Sequence, residues 1–393
     1  MERNGAANCH DVGIGSEKAL RAQAREHDGT AGELWRSHSA GALRTHDDLY
    51  SIARAHQTWI VASHAPSTGL YVRLPSPANI AAAMSIIDPI FLRTPLLRQT
   101  ALDHALGAEI FLKVETLNPL RSFKGRGTDL FVKQSRDRRT LVCASAGNFG
   151  QGLARAGAQL HRTVIVFAAK GANALKVAAM RSLGAEVRLS GEDFDAAKDA
   201  ARQFAARTDA YYVEDGAIAE IAEGAGTIAL ELSEAGTLPE TVLVPLGNGA
   251  LATGIGAWCR YAAPGTRVIG VVAAGAASML LSFAAREPVS TASANTIADG
   301  IAVREPVPYA VTSMRATVDE VVSVTDESIL RAMRLVHRHL GLVIEPAGVV
   351  GLAALLEHEE RWRGTRVAIP LCGGNVTQDD AQRWLLGPRS VDA

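Results

Sequence analysis

Four short stretches of this chain combine small residues with a group able to do chemistry. The first, Arg121-Ser-Phe-Lys-Gly-Arg-Gly127, sets Lys124 between an aromatic side chain and a glycine, just before a helix predicted to start near Thr128. A lysine on an open turn is a solvated charge. One folded away beside Phe123 is desolvated, loses affinity for its proton and becomes a Schiff-base candidate. The second stretch, Cys143 to Gly152 (CASAGNFGQG), leads from a β pattern into a helix predicted at Leu153–Ala158. Successive backbone N–H groups backed by a helix dipole form a seat for a carboxylate, although the same residues also suit an ordinary βα turn. The third, Pro245 to Leu251 (PLGNGAL), precedes a helical pattern at Ala252–Ala262, and its Gly247 and Gly249 let amides approach a phosphate. It is neither the GxGxxG dinucleotide fingerprint nor a P-loop, because the spacing, the lysine and the Ser/Thr are missing. The fourth, Leu371 to Val376 (LCGGNV), ends a β run on Cys372. A buried cysteine is ordinarily an inert small hydrophobe, but at a strand end before two glycines its sulfur could lie against a ligand heteroatom.

The elements that must hold these loops are legible as β-branched runs separated by Ala-rich helical stretches. The runs are Glu109–Glu115, Thr140–Ser145, Thr163–Ala168, Ala185–Ser190, Thr241–Leu246, Arg267–Val272, Glu320–Thr325 and Arg366–Leu371. Nearly all are separated by enough residues for a helical crossover, the pattern of an α/β protein with parallel sheets. In such sheets ligands bind beyond the carboxyl ends of the strands, which is where the glycine-rich loops fall.

The chain has 393 residues, 48% hydrophobic and 21% charged, which excludes a wholly disordered chain and, at about 100–200 residues per domain, allows two or three domains. Forty basic against 41 acidic residues leave a net charge of -1, so no basic excess points to nucleic acid. Cys9, Cys143, Cys259 and Cys372 are too scattered for a CxxC pair or a disulfide framework, which fits a reducing compartment. The first twenty residues lack the apolar core of a secretory signal. Val268–Ala285 carries no charge over 18 residues, the lower limit for a bilayer span. Its β-branched start, the break at Ala-Gly-Ala-Ala-Ser and the helical restart at Met279 instead predict a strand followed by a helix, with no membrane partner. Residues 1–74 show weak periodicity and are expected to be a poorly ordered or loosely docked extension.

Taken in order and spacing, the four loops resemble the fold-type II pyridoxal-phosphate enzymes, the tryptophan synthase β-like superfamily, and within it the threonine/serine dehydratases (ammonia-lyases). The likeness runs from about Pro75 to the end and takes in TLNPLRSFKGRGT (Thr116–Thr128), LKVAAMRSLGAEV (Leu175–Val187), AEGAGTIALEL (Ala222–Leu232), TIADGIAVR (Thr296–Arg304) and GLVIEPAGVVGLAAL (Gly341–Leu355). The resemblance implies two domains, each a mostly parallel sheet flanked by helices. Residues 75–139 and 220–393 would form the large cofactor-binding domain and 140–219 a small mobile one. It implies pyridoxal 5'-phosphate as cofactor, Lys124 as the Schiff-base lysine and α-proton base, and Phe123 beside the pyridine ring. Asn148 would bond the phenolic oxygen, Gly247, Asn248, Gly249, Ala250 and Leu251 would hold the phosphate, and Cys372 would face the pyridine nitrogen. Ser145, Ala146 and Gly147 would receive the substrate carboxylate, with Phe149 next to them. A neutral thiol does not enforce protonation of the pyridine as a carboxylate would, so elimination is favoured over transamination. The implied reaction is loss of the β-hydroxyl of L-threonine or L-serine, giving a 2-oxo acid and ammonia in a cytoplasmic homo-oligomer, expected to be a dimer.

Several positions depart from the family's pattern. Phe149 stands where dehydratases commonly have histidine, and Asn248 and Ala250 interrupt a phosphate loop that in many relatives is all glycine. Ala146 replaces the second base of the related serine racemases, which ranks dehydration above racemisation. Val272 replaces a glutamate that helps hold a divalent cation in some members, so no metal is expected there. Only 18 residues follow Asn375, so the regulatory domain of some biosynthetic relatives is not expected. Other readings stay open: a β- or γ-replacement or threonine-synthase-like catalyst of the same fold, a specialised-pathway amino-acid lyase, and a cofactor-binding protein that has lost turnover.

Overall fold

The structure, a computed structural model, describes residues 60–61, 72–236 and 238–386. The expected disorder or loose docking of residues 1–74 falls mostly outside them. Where they do reach it, β1 (Ile60–Val61) pairs antiparallel with β2 (Val72–Arg73). Arg73 forms ion pairs with Glu223 and Glu220, each at 2.8 Å, and Leu74 is buried, so the packed body begins before Pro75.

All eight expected runs are parallel strands, in two sheets. The six-stranded sheet has the order β11 (Glu320–Val324), β10 (Arg267–Ala273), β9 (Thr241–Pro245), β12 (Arg366–Leu371), β4 (Glu109–Val114) and β3 (Leu96–Leu97). Only β3 runs antiparallel in it. The four-stranded sheet has the order β7 (Glu186–Leu189), β6 (Val164–Ala168), β5 (Leu141–Ala144) and β8 (Tyr211–Tyr212), all parallel. Alternation along the central strand β9 explains why its run is apolar throughout. Val242 and Val244 face one core cluster, with Trp258 and Ile255, while Leu243 faces the other, with Leu352 and Ile369. A strand covered by helices on both faces has no polar side to show.

The expected helix starts move. α1 covers Lys124–Gln134, α2 Asn148–Gln159 and α6 Ala250–Ala262, each beginning two to five residues earlier than the helical pattern indicated. At one glycine that read as loop, a neighbouring backbone lies so close that no side chain fits inside the helix. A Cβ on Gly127 of α1 would stand 2.4 Å from the carbonyl oxygen of Ile221 in α5 (Ala219–Glu234). Val268–Ala285 divides as expected into β10 and a helix at Ser278–Ala285, and no helix among the described residues is long and apolar enough to cross a membrane.

A buried ion network anchors α1. The Arg126 guanidinium lies 2.8 Å from Glu115 and 2.6 Å from Glu231, and it donates to Thr227 and Thr94. Lys113 completes it by pairing with Glu231 at 2.6 Å. Two cations thus balance two carboxylates in a place that water does not reach, and each is expensive to leave unpaired.

Candidate active site

A cavity of about 580 Å³ opens at the carboxyl edges of both sheets, and three helix N-termini point into it. They belong to α1, α2 and α6, and in none does the N-cap residue's own side chain bond the first turn. The first-turn N–H groups of a helix have no partner inside it and carry the positive end of its dipole. A pocket walled by three of them is built for a ligand with more than one anionic group. At α6, Gly249 takes φ +85°, which turns the chain so that the amides of Ala250 and Leu251 follow at the pocket wall.

The structure brings every expected site residue to this cavity: Phe123, Lys124, Ser145, Ala146, Gly147, Asn148, Phe149, Gly247, Asn248, Gly249, Ala250, Leu251 and Cys372 all line it. Lys124 is the first residue of α1, and its turn is clamped to the loop after β12. Phe123 N–H donates to the Cys372 carbonyl at 3.0 Å, Gly374 N–H to Arg121 at 2.9 Å, and Asn375 Nδ2 to Leu120 at 2.8 Å. The ammonium lies 4.9 Å from the Phe123 ring centre and 5.7 Å from that of Phe149. Ser145 departs from a simple carboxylate seat, because its hydroxyl accepts from the N–H groups of Gly147 (3.1 Å) and Gly150 (3.0 Å). That hydroxyl holds the loop's shape and leaves the amides of Ala146, Asn148 and Phe149 as the donors at the head of α2. The Cys372 sulfur is buried, 4.0 Å from the Ala347 carbonyl, and burial together with Glu345 pushes its thiol well above the usual range. It stays neutral.

Three site residues escaped the sequence reading. Asp215, in the loop after β8, meets the Lys124 ammonium at 2.5 Å. Glu345 accepts from Asn148 Nδ2 at 2.7 Å, and Asn375 donates to Asn148 Oδ1 at 2.7 Å, so the Asn148 amide is held from both ends. Burial, reinforced by the Asp299 charge, pushes the Glu345 carboxyl up to about 7. Glu345 lies within the EPAG segment that carried the resemblance, which was the available signal. Asp215 follows a tyrosine pair too short to read as a strand, and nothing local marked it. At the cavity rim, two ion pairs join the segment around residues 299–304 to helices beside the small sheet: Asp299 with Lys176 of α3 (Ala174–Ser182), and Arg304 with Asp195 of α4 (Phe194–Thr208) at 2.5 Å.

Fold and cavity together describe an α/β protein whose pocket gathers three helix N-termini around an enclosed lysine. The chain belongs to the pyridoxal-phosphate dependent enzyme family, whose profile matches residues 87–373. It is 34% identical over 301 residues to the L-threonine ammonia-lyase of Thermotoga maritima, covering 76% of this chain and 75% of that one. Among solved structures it is similar to a threonine deaminase from T.th., with TM-score 0.73, 31% identity and coverage of 77% of this chain and 99% of that one. A maize serine racemase matches with TM-score 0.73, 26% identity and coverage of 78% and 95%.

Proposed function

We infer that the chain is a pyridoxal-phosphate-dependent ammonia-lyase that removes the β-hydroxyl and the amino group of L-threonine, and of L-serine, leaving a 2-oxo acid. The observation that carries this is the position of Lys124, which lines one cavity together with two further helix N-termini, one beside each sheet. The residues present fit the cofactor. The glycine-turned start of α6 suits its phosphate, the Asn148 amide its phenolic oxygen, the Phe123 ring one face, and the neutral Cys372 thiol the pyridine nitrogen. When bound, the cofactor supplies an electron sink for the carbon next to the amino group.

The remaining steps belong to the chain's own residues. Lys124 would hold the cofactor and, once free as a neutral amine, would take the proton from the substrate α-carbon. The amides at the head of α2 hold the substrate carboxylate and orient that C–H bond toward Nζ. Phe149, buried beside them, encloses the substrate side chain in apolar surface. The hydroxyl leaves as water, and a water is consumed again when ammonia is released, so the net products of threonine are 2-oxobutanoate and ammonia.

Borohydride reduction of the loaded protein followed by peptide mapping tests the assignment of Lys124, and label on another lysine would defeat it. Incubation with a panel of β-hydroxy and β-amino acids tests the reaction. Formation of 2-oxo acid and ammonia in equal amounts from threonine supports elimination, whereas consumption of a second nucleophile without ammonia would replace it by β- or γ-replacement.

A further inference from the structure

Asp215 and Lys124 are 91 positions apart, yet their side chains, 13% and 15% exposed, meet at 2.5 Å on the cavity wall. The second carboxylate oxygen, Oδ1, is sealed from solvent and has no hydrogen-bond partner. Buried carboxylates ordinarily satisfy both oxygens, because an unmet one carries its full desolvation cost. Lys124 Nζ is therefore the group that meets this carboxylate, through Oδ2 alone. The surrounding groups leave that pairing uncontested. Cys143 near Asp215 and Cys372 near Lys124 are thiols that burial keeps protonated. Glu214, next in the chain, is taken by Lys198 at 2.9 Å and Arg202 at 2.6 Å. Asp193 caps α4, and the rim charges Lys176, Asp299, Arg304 and Asp195 are paired with one another. Glu345 engages Asn148.

We propose that Asp215 is the positioning residue of the cavity lysine: its carboxylate aims Nζ into the pocket and holds it as an ammonium until the proton is released. The proposal rests on Lys124 being the residue that carries the cofactor. To bond the aldehyde carbon, the ammonium first gives one proton to solvent. The amine nitrogen then uses its lone pair to replace the aldehyde oxygen, which leaves as water. A carboxylate in contact opposes the first of these events, because it favours the charged amine. The same contact steadies the ammonium formed when Lys124 takes a proton from a substrate α-carbon, making the amine a stronger base in turnover. In this role Asp215 works through Lys124.

The test is competitive labelling of Lys124 with acetic anhydride across the neutral and alkaline range, read by peptide mass spectrometry on the cofactor-free full chain. Wild type, Asp215→Asn and Asp215→Glu are compared. Asp215→Asn should lower the pH midpoint of Lys124 labelling, because the carboxylate in contact is gone, and Asp215→Glu should stay close to the wild type. Cofactor uptake near neutral pH should accelerate in Asp215→Asn by about tenfold per unit of midpoint, the gain in neutral amine. A midpoint unchanged in Asp215→Asn, or moved equally by Asp215→Glu, would assign Asp215 to packing and overturn the proposal. If the asparagine variant does not fold, Asp215→Ser is read the same way. A wild type that takes up no cofactor would defeat the function proposed above, while the labelling midpoint, which needs none, still decides the role of Asp215.

Discussion

Glu345 makes the stability of this protein depend on pH in a direction opposite to most carboxylates. Its carboxyl rises from 4.5 to about 7, through burial first and the Asp299 charge second. The folded chain therefore holds a proton there that the unfolded chain has already lost between those two values. By linkage, the favourable state is complete below 4.5 and is lost as pH rises through 7. A shift of about 2.5 units corresponds to about 3 kcal/mol, an upper bound for one buried group. Glu345→Gln keeps an oxygen to accept from Asn148 but does not titrate. Urea unfolding of the cofactor-free full chain should give nearly equal stabilities for variant and wild type at about pH 4, and a variant more stable by up to about 3 kcal/mol at about pH 8.5. A difference of the same size at both pH values would refute the reasoning, since it would mean that the substitution acts through packing and that Glu345 does not hold its proton in the folded state.

Three further outcomes are expected. Gly216→Ala places a Cβ at φ +85° and 2.1 Å from the Asn248 carbonyl, so the loop beside the α6 N-terminus must move. A cofactor titration should read at least about tenfold weaker affinity, about 1.4 kcal/mol. Arg126→Met leaves Glu115 and Glu231 with only Lys113 between them, and should cost about 3–5 kcal/mol in denaturant unfolding even with cofactor-site residues untouched. Phe149 makes the pocket beside the carboxylate seat apolar, and an added substrate methyl there is worth about 1–3 kcal/mol. The ratio of kcat/KM for threonine over serine should therefore exceed one and shrink in Phe149→His, with the bound cofactor's absorbance unchanged. A preference for serine would mean that Phe149 does not line the side-chain pocket.

The parallel strands were legible because a run such as Thr241–Pro245, buried on both faces, cannot alternate with polar residues, and that constraint is written in consecutive residues. The glycine-rich loops were legible for a related reason, since close approach of backbone to a ligand leaves no room for side chains. Two-residue strands, β3 and β8, carry too few positions to show any period, and it took pairing with β4 and β5 to define them. The helix starts misread at Lys124, Asn148 and Ala250 had the same origin. Glycine lowers the local helical signal, and only the backbone of a neighbouring helix against Gly127 shows why it is there. The carboxylates that tune the site were hidden for a different reason. Asp215 acts across 91 positions on Lys124, and Glu345 across 197 on Asn148, and in both cases burial decides the outcome. The sequence determined which residue types could do chemistry and which strands would carry them. Only the tertiary structure decided which charges face one another without water between them, because Coulomb interaction and desolvation depend on distances in space that separation along the chain does not record.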